Sequence, residues 1–147
     1  MAIGVLIALG FFSTILALFN PRPILTLAPG EPQLGVRARL SWRFKGSAGR
    51  LRRLQIILRG CEHASYQRGT DSVTDERTFY AVLLADQVQA MSMHDGTVEF
   101  AIPHDLMYSL ELSHNAIRWR LEVRGEVPFW PDVDDRFDIV VRPHPVT

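Results

Sequence analysis

The sequence predicts an all-β fold in which two antiparallel sheets pack face to face as a sandwich. From Asn115 to Val127 the chain reads NAIRWRLEVRGEV. Ile117, Trp119, Leu121, Val123 and Val127 share one parity; Arg118, Arg120, Glu122, Arg124 and Glu126 share the other. Side chains of an extended strand point alternately to opposite faces, so this is a long strand with one apolar and one charged side. Leu34 to Lys45 repeats the pattern, setting Leu34, Val36, Ala38, Leu40, Trp42 and Phe44 against Arg37, Arg39, Ser41, Arg43 and Lys45. Turn-forming residues separate such runs, and the central one has no helical three-and-four spacing. About seven strands of this kind, each with one wet face, suit two packed sheets.

In chain order, Ala2 to Phe19 (AIGVLIALGFFSTILALF) carries no charge and ends at Asn20-Pro21-Arg22-Pro23. Such a helix spans about 27 Å, near the thickness of a bilayer's hydrocarbon core. A cleaved signal peptide would want a basic segment before the apolar run and a small-x-small site after it, and Ala17-Leu18-Phe19 is a poor one. A buried core helix normally keeps a polar face. Residues 1–20 are therefore expected to form one transmembrane helix. Residues 21–33 read as a linker with a possible first strand at Ile24–Ala28, residues 34–143 as the sandwich and 144–147 as a tail.

Gly46-Ser47-Ala48-Gly49 is a turn cluster, and a hairpin is expected to join the Leu34–Lys45 strand to Leu51–His63. There Leu54, Ile56 and Leu58 point inward, with Arg53, Gln55 and Arg59 opposite, and Gly60 marks a bulge. Tyr66–Glu76 is polar and reads as a loop. Thr78–Asp86 alternates weakly; FYAVLLA suits a strand or a short helix, and its neighbours favour strand. Gly96–Ile102 is a strand with Val98, Phe100 and Ile102 on one side. Residues 103–114 form an irregular crossing, Val127–Asp132 a turn, and Arg136–Arg142 a last strand with Phe137, Ile139 and Val141 inward.

Sixteen basic residues balance sixteen acidic ones, which gives no case for wholesale nucleic-acid binding. The balance hides an asymmetry. Pro21–Thr70 holds ten basic residues against Glu31 and Glu62, whereas the chain from Asp71 onward holds six against fourteen acidic ones. The single cysteine, Cys61, excludes an intrachain disulfide framework and a multi-cysteine zinc site.

The segments LRRLQIILRGCEHASY, TFYAVLLAD and VEFAIPHDLMYSLELSHNAIRWRLEVRGEVPFWPDVDDRFDIVV carry a family resemblance. Their order resembles arrestin-like β-sandwich domains, in the version attached to transmembrane helices in poorly characterised bacterial membrane proteins. The matching positions are Leu58, Gly60 and Glu62; Pro103 and Ser109; Ile117, Trp119, Leu121 and Val123; and Phe137, Ile139 and Val141. The resemblance covers about residues 33 to 142. Full arrestins have two sandwiches and a polar core that this chain does not show, so receptor binding does not carry over. The resemblance implies a binding or scaffolding module.

No glycine-rich phosphate loop, serine-nucleophile motif or helical HExxH occurs. Cys61 and His63 lie two apart on a strand, which is half a metal site at most, and they read as a buried thiol and a strand-end histidine. His94-Asp95, His104-Asp105 and His114 lie in loops, where ordinary polar loops are the plainer reading. The expectation is a non-catalytic chain without cofactor or metal. Two features carry a binding wager instead. Arg43, Lys45, Arg50, Arg52 and Arg53 cluster around the expected hairpin turn, as a charged edge that discourages aggregation or as a contact for anionic headgroups or an acidic partner. Phe129 and Trp130 sit between prolines in a turn, either capping the core or resting on a membrane interface or partner.

The whole reads as a single-pass membrane protein whose sandwich is an interaction or scaffold module with a protein partner. The alternatives are a structural accessory subunit of a larger membrane complex and a metal-dependent enzyme using the loop histidines. Arg22, Arg37 and Arg39 follow the apolar run while only the amine precedes it, so the sandwich is expected on the cytoplasmic side.

Overall fold

The run NAIRWRLEVRGE forms the central strand of the larger of two sheets. The computed structural model describes residues 21–45, 48–129 and 131–146. Eight strands follow in order: β1 (Arg22–Ala28), β2 (Arg37–Lys45), β3 (Arg53–Arg68), β4 (Asp71–Gln87), β5 (Asp95–Ala101), β6 (Leu110–Glu111), β7 (Asn115–Glu126) and β8 (Val133–Ile139). A 3-10 turn at Ala48–Arg50 and a short helix, α1 (Ala90–His94), join them.

β1, β2 and β5 form one antiparallel sheet in that order. The other runs β4–β3–β7, and the far edge of β7 is shared. Leu110 and Glu111 of β6 pair with Ile117 and Ala116, while Val133–Ile139 of β8 pair with Gly125–Trp119. The apolar parities of both sheets meet between them. Leu40, Trp42 and Phe44 of β2 face Leu54, Ile56 and Leu58 of β3 and Trp119, Leu121 and Val123 of β7, all buried. Each large side chain placed there contributes roughly 1.5–3 kcal/mol. Ser109, in the crossing after β5, donates its N–H to Val141 O (2.9 Å) and accepts the N–H of Val141 on its hydroxyl (2.8 Å).

The two-sheet antiparallel sandwich expected from the alternation is present, with eight strands. Residues 79–86 are strand, within β4. The register slips at Gly60, where Tyr80 and Thr78 oppose Gly60 and Cys61 and leave Phe79 as the extra residue. A Cβ on Gly60 would lie 2.7 Å from the Phe79 ring and 3.0 Å from that of Trp119, so the glycine gives those rings their space.

Two expectations are corrected. β2 and β3 do not form a hairpin: β2 pairs with β1 and β5 in one sheet, and β3 with β4 and β7 in the other. Nor is Tyr66–Glu76 a loop. β3 and β4 continue in register to Arg68 and Asp71, where Gly69 takes φ 68° in a two-residue turn. Both errors share a cause. A turn signal shows that the chain reverses but not which strand it joins, and strands polar on both faces lack the period-two signal. The last strand is β8, three residues earlier at each end than the expected Arg136–Arg142; beyond it Arg142 bridges to Gln33 in parallel. Residues 1–20, the expected transmembrane helix, lie outside the described residues. Among the described residues no helix is long and apolar enough to cross a membrane.

Candidate functional site

Strand register gathers the predicted contact residues at one end of the sandwich. Arg22 opens β1 opposite Lys45, and Ile24 lies opposite Arg43. α1 leads directly into Asp95, which pairs with Arg43 on its other side. The segment leading into β3 delivers Arg50 and Arg52 to the same end, and Arg52 N–H donates to Glu126 O at 2.9 Å. The turn from β7 to β8 closes it, with Val127 N–H donating to Asp132 Oδ1 at 3.1 Å. α1 is held on the core by buried Met93 and by Trp42 Nε1–H, which donates to Ser92 O at 3.0 Å. Gly96 lies under the Trp42 indole, where a Cβ would collide with the ring.

The predicted residues divide at this end. Arg43, Lys45, Arg50 and Arg52 are exposed. Arg53 is engaged: its Nε and a terminal nitrogen donate to Asp86 Oδ1 and Oδ2 at 2.8 and 2.7 Å. Phe129 is fully exposed with φ 58°, so it does not cap the core. Trp130 lies outside the described residues. Sequence reasoning did not single out Val88 and Met91, which are 67% and 87% exposed at this same end. Their only sequence signal was being apolar in a segment, 88–94, without strand alternation.

At the other end, β3 and β4 outrun the sandwich as an arm. β7 pairs with β3 only as far as Ala64, and Ser65 N–H donates to His114 O at 2.7 Å. Past that point, among the described residues, no third strand pairs with the β3–β4 ribbon, and Ser113 and His114 flank it beside Tyr66 and Gln67. It is knitted by Ser65–Thr74 hydroxyls at 3.3 Å and by a Tyr66–Asp75 hydrogen bond that pushes the Tyr66 phenol's pKa up. β3 holds sixteen residues, so Arg53 and Arg68 lie about 50 Å apart along it.

The expected solvent face of the larger sheet is a charge network. Glu122 is 2% exposed, beneath Arg59 (Nε to Oε1, 2.7 Å) with Arg120 and Arg124 each at 3.8 Å. Arg120 also reaches Glu76 at 3.0 Å. Cys61 and His63 do share this face, and His63 Nε2 lies 3.7 Å from Glu76 Oε2. Burial pushes the Cys61 thiol's pKa up, against the opposing hydrogen bond to Thr78, whereas a nucleophilic cysteine needs the reverse.

The loop histidines do not converge. His94 closes α1, His104 follows β5 at the opposite end, and His114 precedes β7. His104 instead meets His144 edge-on, with ring centroids 6.1 Å apart, over Gly35. Among the described residues no group of three or more His, Cys, Asp or Glu is placed to hold a metal.

Several carboxylates of these pairs sit below their ordinary range. Asp86 is lowered by its hydrogen bond from Arg53, Glu99 by Arg39 and Glu111 by Arg118. For Glu76 burial acts upward, but the Cys61 thiol and Arg120 outweigh it. A carboxyl whose folded pKa is depressed contributes stability above its unfolded value, near 4, and loses it as pH falls through the folded one. The urea midpoint is therefore expected to hold steady from about pH 7 to 5 and to drop progressively below about pH 4. A midpoint unchanged at about pH 3 would contradict these pairings.

No protein-family model matches the sequence, and no curated protein does. Among solved structures the chain is similar to Spo0M, the sporulation control protein from Bacillus subtilis. That match has a TM-score of 0.58 at 13% identity and covers 84% of this chain and 50% of Spo0M. The chain thus spans half the length of that neighbour, and what the two share is the arrestin-like β-sandwich fold. Murine CRIg aligns over 84% of this chain and 99% of its own, at 16% identity and a TM-score of 0.36.

Proposed function

We propose that this chain is a membrane-anchored, non-catalytic interaction module that presents the β3–β4 arm to a protein partner. The observation that carries the reading is polarity of placement. The uncharged run 2–19 joins at the Arg22 end, and the ribbon Tyr66–Val73 projects from the other. A two-stranded ribbon leaves N–H and C=O groups unpaired on both edges, which a partner strand can take up. The basic residues at the Arg22 end favour the cytoplasmic side, where positive charge flanking a span is retained. The full chain is expected to stay with membranes through alkaline carbonate extraction; release would reject the anchor. A photoreactive residue at Gln67 is expected to crosslink one discrete protein in native membranes. Deleting Tyr66–Arg68 together with Asp71–Val73 is expected to abolish recovery of that complex while membrane association and melting stay unchanged. Undiminished recovery would reject the arm as the contact.

A second reading, an accessory subunit of a larger membrane complex, is favoured by an apolar strip along the β6–β8 edge. There Leu110, Leu112 and Val140 are 41%, 59% and 45% exposed. Native mass spectrometry from detergent separates the two: a stoichiometric multi-subunit assembly supports the second.

A further inference from the structure

We infer that the Arg22 end of the sandwich is a contact surface for an anionic phospholipid bilayer. Phe129 and Met91 enter the interface, and Arg22, Arg43, Lys45 and Arg52 lie on headgroup phosphates. The inference rests on the anchored reading above and names what that end touches.

The first observation is chain length. β1 begins at Arg22, three residues after Phe19, so an extended connection reaches at most about 11 Å. Headgroups occupy some 5–7 Å of that on each side of a bilayer. An anchor at 2–19 therefore leaves this end of the sandwich no room to stand off.

The second is charge. On the flanks arginines are matched to carboxylates: Arg39 with Glu99 at 2.9 Å, Arg118 with Glu111 at 2.8 Å and Arg142 with Glu31 at 2.6 Å. Among the described residues Arg22, Arg43, Lys45 and Arg52 form no ion pair, as is also true of Arg68 on the arm and Arg136 on β8. Asp95, Glu126, Asp132 and Asp134 lie at this end too, against those four, Arg50 and Arg124, which leaves it basic. The third is Phe129. A residue with a Cβ disfavours its positive φ, and its ring is left wholly outside the protein. A large exposed aromatic at the same end as exposed Met91 and Val88 and the basic groups Arg22, Arg43, Lys45 and Arg52 is the composition of a membrane-interface contact.

The test uses the full chain carrying Phe129→Cys, labelled with an environment-sensitive dye; Cys61 is buried and does not compete. It is reconstituted into phosphatidylcholine vesicles and into vesicles with about one-third phosphatidylglycerol. The dye is expected to shift to the blue and be quenched by shallow brominated lipid in the anionic vesicles. The effect is expected to be weaker in neutral ones and to fade at about 1 M salt, where charge is screened beyond about 3 Å. Replacing Arg43, Lys45 and Arg52 by glutamine is expected to lower the contact equilibrium about a hundredfold, at roughly fivefold per charge. A dye at Ser72→Cys on the arm stays in water throughout. Flotation with both vesicles while the 129 dye reads water in both overturns the inference and leaves the anchor standing. Flotation with anionic vesicles alone, with the 129 dye shifted, supports the inference and rejects the anchor. An equal shift on soluble polyglutamate, or insertion of the Ser72 dye, assigns the contact elsewhere and overturns it.

Discussion

Trp119→Ala is expected to destabilise the domain by about 3–5 kcal/mol, a large part of the roughly 5–15 kcal/mol that holds a domain of this size together. Trp119 is 1% exposed on the strand that both halves of the larger sheet hydrogen-bond to, with Gly60 of β3 on one side and Ile139 of β8 on the other. The Phe79 ring meets it edge-on at 5.4 Å and Tyr80 lies at 5.7 Å. Alanine leaves a cavity among groups that cannot close over it, since Phe79 is fixed by the bulge opposite Gly60. It also removes the Nε1–H that donates to Met107 O at 3.0 Å and pins the 103–114 crossing to the core. Urea unfolding with an unchanged slope and a lowered midpoint is the expected readout. A loss below about 1 kcal/mol would mean that the sheets do not close on this side chain.

Arg59→Met is expected to cost about 1.5–3 kcal/mol, more than an ordinary surface substitution. It strips the buried Glu122 carboxylate of its nearest donor, the Arg59 Nε–H at 2.7 Å, and leaves it Arg120 and Arg124 at 3.8 Å. A carboxylate out of water without its hydrogen bond is the expensive state, not the absence of an ion pair. The double variant Arg59→Met, Glu122→Leu is therefore expected to recover much of the loss, because apolar groups of similar size replace a buried pair at little net cost. Arg120 retains Glu76 at 3.0 Å, and Arg124 is exposed enough to be hydrated. Denaturation of the wild type, both single variants and the double variant closes the cycle. A double variant as unstable as the sum of its singles would show that the two side chains do not depend on each other.

The sequence by itself determined the strands with one apolar face. Leu40, Trp42 and Phe44, Leu54, Ile56 and Leu58, and Ile117 through Val123 all pack inward on the parity their spacing demanded. A one-residue slip would turn every one of them into water, so register follows from local pattern alone. It also located the bulge at Gly60 and the exposed basic residues Arg43, Lys45, Arg50 and Arg52. Only the tertiary structure decided the pairing. Nothing local distinguishes a turn that closes a hairpin from one that carries β2 across to the other sheet as β3, because strand partners are chosen by contacts distant in sequence. The arm was hidden for a related reason. Its strands are polar on both faces and leave no period to read, and cross-strand pairs such as Ser65 with Thr74 at 3.3 Å exist only once the partner is known. The same holds for Glu122. Its parity marks it as a solvent-facing residue, yet Arg59 reaches over from neighbouring β3 to roof it, beside Arg120 and Arg124 of β7 itself. Burial of a charge by its neighbours' side chains is a property of assembled strands, and no single strand carries it.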